Sequence, residues 1–227
     1  MVGGKALNYQ MGNRRLPLPR ENGYKKAYEL AYKLAGEQLA KVDIEEQCRK
    51  TGARYHEVNS KRFIIIEYLS QTYQISLSEM KVSLVGSGED VPIRDKILIL
   101  HYFVSAKGTP LANKLITFRE LTEGSVYAPT FAKRAVKPLL DHFGKDPKLL
   151  LDVSGSLGGQ KAEFGDIGVT INVFCRVTIT IVIWHGDDEL GPQGNILFDA
   201  TISDYLTTED ITVLCETIAW RLVRLLK

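Results

Sequence analysis

Residues 165–184 read GDIGVTINVFCRVTITIVIW. Val, Ile and Thr dominate both halves of this stretch, and β-branched side chains fit a pleated surface better than a helix. GDIGVTINVF and RVTITIVIW therefore predict two strands, and GNILFDATI a third. A second β-rich batch lies upstream in KRFIIIEYL, YQISL and MKVSLV, reached through the small segment TGARYHEV. Two or three antiparallel strands are expected there.

Helical periodicity fills the intervals. From Tyr24 the residues Tyr28, Ala31, Ala35, Leu39 and Val42 recur at three- and four-residue spacings. DIEEQCRKTG begins on a capping Asp43 and ends at Gly52. VPIRDKILILHYFVSAKG carries Ile93, Ile97, Leu100 and Val104 on one stripe and stops at Gly108. FAKRAVKPLLDHFG and DPKLLLDVSGSLGG are shorter helical segments. TTEDITVLCETIAWRLVRLLK has Thr207 or Thr208 as cap, Glu209 and Asp210 in its first turn, and Arg221, Arg224 and Lys227 near its negative end. Strands in two batches, with helices between and around them, predict an α+β fold. The expected architecture is antiparallel strands packed with four to six helices in a single domain over residues 23–227. Residues 1–22 carry Lys5, Arg14, Arg15 and Arg20 against Glu21 and are expected to be a flexible basic tail.

A chain of 227 residues needs no metal or disulfide to fold, since it can bury roughly 70% of its unfolded surface. A net charge of +2 gives no electrostatic reason to expect nucleic acid or an anionic membrane as partner. No apolar run approaches the ~18 residues of a membrane span, and a cytoplasmic protein is expected. Cys48, Cys175 and Cys215 form no CxxC pair, so the chain has no local zinc knuckle and no iron–sulfur cysteine motif. They are expected to be free and mostly buried thiols. VGSGED and SGSLGGQKAEFG match no phosphate-binding loop, and no GxSxG or HExxH occurs.

Three groups of residues remain as candidate chemistry. His101 lies within the apolar ILILHYF, where an imidazole serves as ligand, acid/base group or hydrogen bonder, or simply sits satisfied in the core. The connection that follows supplies Lys107, Arg119 and Arg134 for an anionic group, and Tyr127, Phe118 and Phe131 as walls for a flat ligand. The alternative for that connection is a set of structural ion pairs around an irregular crossover. The third group is WHGDDE, where His185, Asp187 and Asp188 have the donor types of a metal site but occupy what reads as an acidic hairpin loop.

IRDKILILHYFVSAKGTPL, LITFREL, YAPTF with KRAVKPLL, RVTITIVIWHGDDE and NILFDATISDYLTTED together resemble a prokaryotic family of unknown function, numbered thirty-seven eighty-six. The likeness runs from about Tyr24 to the last helix. The resemblance implies a setting in anaerobic bacteria and archaea, where some relatives are attached to cysteine-rich iron–sulfur segments. Redox or corrinoid-linked metabolism is implied, with any iron–sulfur or corrinoid partner a separate protein here. The leading expectation is a protein that binds a small molecule or cofactor, a tetrapyrrole in its sharpest form, through His101, Lys107, Arg119, Tyr127 and Arg134. A protein-interaction module without chemistry and a metal-dependent enzyme built on His185 are the alternatives.

Overall fold

The structure, a computed structural model, describes residues 25–186 and 189–226. The expected tail and the pair Asp187 and Asp188 lie outside the described residues. The fold is α+β with two antiparallel sheets.

The first sheet is a meander of β1 (Arg54–Val58), β2 (Lys61–Tyr68), β3 (Gln71–Ser76) and β4 (Lys81–Leu84). It holds four strands where two or three were expected, because β1 pairs with β2 through its backbone while its side chains are mostly exposed. Such an edge strand carries no apolar alternation to reveal it. The second sheet has the order β5-β9-β8-β7-β6, with β5 (Leu115–Thr117), β6 (Gly159–Ala162), β7 (Ile167–Phe174), β8 (Val177–Trp184) and β9 (Gln193–Asp199). β7 and β8 are buried almost throughout, which is why their sequences run apolar on both faces.

α1 (Lys25–Leu39), α2 (Ile44–Thr51) and α3 (Ile93–Ser105) precede the second sheet's main strands. Asp43 caps α2 by accepting from the Glu46 amide at 2.9 Å, and Gly52 ends it at φ 74°. That left-handed geometry costs glycine little. α4 (Gly124–Phe131) passes through a π turn at Ala132–Val136 into α5 (Lys137–Phe143), followed by α6 (Lys148–Ser154) and α7 (Thr208–Leu225). The π register falls where Pro138 has no N–H to give the carbonyl of Arg134. Counted through that turn, the described α-helical segments make six bodies, within the expected four to six.

One hydrophobic cluster joins both sheets to α3 and α7. At its centre the ring of Tyr102 stacks on Phe174 at 4.0 Å, and Tyr68 packs against Phe174 at 4.9 Å. The Tyr102 hydroxyl donates to the Thr51 carbonyl at 2.8 Å, so its polar tip is satisfied inside the core. Helix α3 is thus surrounded. Arg94 and Asp95 in its first turn are buried together with Leu98, Ile99 and Phe103.

Candidate functional site

Burying the first turn of α3 takes two charges out of water, and α7 supplies their partners. The Asp95 carboxylate accepts from Arg221 Nη2 at 2.5 Å and from the Tyr68 hydroxyl at 2.9 Å. Arg94 Nη1 lies 3.4 Å from Glu216 Oε2, while Arg134, from the π turn, donates to the same oxygen through Nε at 3.1 Å and Nη2 at 2.7 Å. Further along, His101 Nδ1 meets Asp210 Oδ1 at 2.7 Å. α3 and α7 therefore run antiparallel with a ladder of charge pairs between them.

Protonation states follow from these contacts. Burial pushes the Asp95 carboxyl above the usual carboxylate range, with Arg221 and Tyr68 opposing the shift. For Arg221, burial works against the charge, but Asp95 together with Tyr68 and Tyr73 outweighs it and raises its pKa. Burial also opposes ionisation of Asp210, yet hydrogen bonds from His101 and Thr207 hold it below its ordinary value.

The ladder is incomplete at Arg94. This side chain is 6% exposed, and neither its Nε nor its Nη1 has a hydrogen-bond partner among the described residues. The Thr217 hydroxyl beside it is equally buried and unpartnered. Three buried or half-buried cations, Arg94, Arg134 and Arg221, face two buried carboxylates, Asp95 and Glu216. Glu209 approaches Arg134 at 3.6 Å only from an exposed position, where solvent screens it.

A cavity of about 380 Å³ opens at this gap between α1, α3 and α7. It is lined by Lys25, Tyr28, Asp90, Pro92, Ile93, Arg94, Asp95, Thr217, Arg221 and Arg224. The Tyr28 ring covers the Arg94 guanidinium, 5.3 Å from centroid to carbon. Asp90 is engaged by Lys96 at 2.7 Å, and Asp95 by Arg221. The cationic side of the lining is thus in excess, and Arg224 has no ion pair among the described residues. The arrangement can hold an anion.

None of the five residues expected to bind a cofactor lines this cavity. Lys107 is paired with Asp204 at 2.8 Å, and Arg119 is exposed, its carbonyl accepting from Ser125 at 3.1 Å. Tyr127 is exposed on α4. Phe118 and Phe131 stack on each other at 3.9 Å in the core, so their faces are already covered. Arg134 is one carboxylate away from the cavity through Glu216, and His101 stands two turns along α3 from Arg94. His185 takes both its amide and its Nδ1 to Asp166 Oδ2, at 2.7 and 3.2 Å. Among the described residues, no group of three or more His, Cys, Asp or Glu side chains is placed to hold a metal ion. Of the thiols, Cys48 and Cys215 are buried, but Cys175 is exposed in the turn between β7 and β8, its side chain against Gly52 at the end of α2.

The signal missed in the sequence is Arg94-Asp95 itself. Two charges open a helix that is mostly apolar thereafter, and Arg94 falls three and four residues before Ile97 and Leu98 on the buried face. Glu216 beside Cys215 on α7 carries the matching signal.

Fold and cavity define an α+β protein with a charged cleft between two antiparallel helices. The chain belongs to the family described as Domain of unknown function (DUF3786), whose profile matches residues 43–221. No curated protein and no solved structure matches it. No described helix is long and apolar enough to cross a membrane.

Proposed function

We propose that this protein binds a small anionic molecule in the cavity between α1, α3 and α7. One observation carries the reading: Arg94 is buried beside a cavity, with its Nε and Nη1 making no hydrogen bond among the described residues and Nη1 only an ion pair to Glu216 at 3.4 Å. A buried cation without full hydrogen bonding costs stability, roughly 1–3 kcal/mol per unsatisfied group, unless something else supplies the acceptors. A carboxylate or phosphate oxygen is the matching chemistry. The cavity volume falls in the small-ligand range. The setting, a cytoplasmic protein in anaerobic metabolism with a separate iron–sulfur or corrinoid partner, is part of the proposal and rests on the family resemblance alone.

Titration calorimetry at fixed ionic strength with inorganic phosphate and with propionate tests the site. Wild-type protein is expected to bind at least one of them and Arg94→Met neither. Equal affinity in both proteins would remove Arg94 from the site.

His101 supports a second reading, a tetrapyrrole ligand. Asp210 holds its Nδ1, and its Nε2 has no partner among the described residues, which is how an oriented imidazole is presented to a metal. Mixing the protein with haem or a corrinoid and finding no change in the visible spectrum would end this version.

A further inference from the structure

We infer that the ligand is an organic dianion with its two charges at opposite ends, an inference that rests on the anion-binding reading of the cavity. The cavity has two cationic ends and a neutral middle. At the inner end the buried side chains of Arg94 and Thr217 both line the cavity, and Arg94 Nε and the Thr217 hydroxyl have no hydrogen-bond partner among the described residues. A guanidinium and a hydroxyl are the donor types that suit one oxyanion group. In the middle, Asp95 and Arg221 neutralise each other at 2.5 Å, and Pro92 and Ile93 supply apolar wall. A second charge has no unmatched partner there.

At the outer end stand Arg224 and Lys25. Among the described residues Arg224 has no ion pair, and Lys25 pairs with Glu29 at 4.0 Å with both side chains largely exposed. Thr217, Arg221 and Arg224 follow one another at spacings of four and three on one face of α7. Seven residues of helix put roughly 10 Å between the backbone positions of the inner and outer groups. Arg94 and Thr217 are buried whereas Arg224 is exposed, so the two groups stand at different depths of the cavity. A molecule with an oxyanion at each end and an apolar or neutral spacer reaches both and leaves no charge opposite the paired middle. An α,ω-dicarboxylate and a carboxylate-bearing phosphonate or phosphate ester share this chemistry.

The family profile covers Arg94, Asp95, Thr217 and Arg221, while Lys25 and Arg224 lie outside the matched residues. The inner anion position and the outer one use different residues and are tested by separate substitutions.

The test is calorimetry on the full chain at fixed ionic strength. Propionate and inorganic phosphate serve as single-ended probes. Succinate, glutarate, adipate and pimelate are double-ended probes of increasing length, and 3-phosphonopropionate distinguishes a phosphorus oxyanion from a second carboxylate. The best double-ended probe is expected to bind at least ~10-fold tighter than propionate, the scale of one added charge-assisted contact. Arg224→Gln or Lys25→Gln is expected to erase most of that gain, and Arg94→Met to abolish binding of every probe. Diacids of all lengths binding no tighter than propionate, with propionate still lost in Arg94→Met, would overturn the dianion and leave the anion site standing. No binding of any probe to the wild type would overturn both.

Discussion

Arg94 and Arg134 share one oxygen: both guanidinium groups converge on Glu216 Oε2, at 3.4 and 2.7 Å. The two cations are not equivalent. Arg134 is part-exposed and already makes two hydrogen bonds, whereas Arg94 is buried and makes none to that carboxylate. Glu216 is the one buried acid both cations share, which makes it the keystone of the α3–α7 contact.

Glu216→Gln keeps the shape and removes the charge. It leaves Arg94 buried beside another cation without a counter-ion, and loss of one partner of a buried pair costs about 3–5 kcal/mol. Urea unfolding should show a drop of that size. A loss under ~1 kcal/mol would mean that Arg94 finds another acceptor when Glu216 is neutral.

Arg94→Met is expected to behave in the opposite way. Glu216 keeps Arg134 bonded through two nitrogens, and an unsatisfied buried cation is exchanged for an apolar side chain. Ligand-free stability should change by less than ~1 kcal/mol or rise, as replacement of buried charge by hydrophobic volume often does. Anion-induced stabilisation should vanish in the same variant, so a thermal melt with and without phosphate separates the two effects.

Two buried carboxylates contribute to the acid limit of stability. Asp199 is buried, but hydrogen bonds from Thr201, Ala112 and Asn113 hold its pKa below the ordinary value. Asp210 is lowered in the same sense by His101 and Thr207. A depressed folded pKa gives stability that is fully present above the unfolded value, near 3.9, and is lost as pH falls through the folded one. Asp95, raised by burial, acts with the opposite sign. Asp199→Asn should therefore lower stability at neutral pH and flatten the fall below about pH 4. An unchanged acid limb in urea titrations at several pH values would refute the assignment.

Thiol labelling should separate the three cysteines. Cys175 is exposed, while burial raises the pKa of Cys215 and of Cys48. A chromogenic disulfide reagent should modify Cys175 in the folded protein and the other two only in denaturant, because the thiolate is the reactive form. Rapid labelling of Cys215 without denaturant would contradict its burial in α7.

β7 and β8 could be read from sequence because a strand buried on both faces must be apolar throughout, and β-branched residues announce it. α2 and α7 announced their starts through Asp43 and Thr207, whose caps act within three residues. β1 and β6 stayed hidden, since GQKA and RYHEV are joined to their neighbours by backbone bonds that any sequence can make. The site was hidden for a different reason. Arg221 and Arg224 have a sufficient local explanation as cations near the negative end of a helix. Only the approach of α3 turns Arg221 into the partner of Asp95 and places Arg224 on a cavity rim. His101 looked like the only polar group inside its helix that called for explanation, yet its bond to Asp210 supplies one.

Asp95 and Arg221 lie 126 residues apart along the chain. At ~10 residues per second of translation, about 13 seconds separate their appearance at the ribosome. Throughout that delay Asp95 has the Tyr68 hydroxyl and Arg94 the Tyr28 ring, but neither has its counter-ion from α7, so this end of the helix stays unsealed while the first sheet is already available to fold. The arrival of α7 then neutralises both charges and encloses the cavity in a single event. Any anion fitting the cleft is in a position to take part in that step, and to hasten it as well as bind its product.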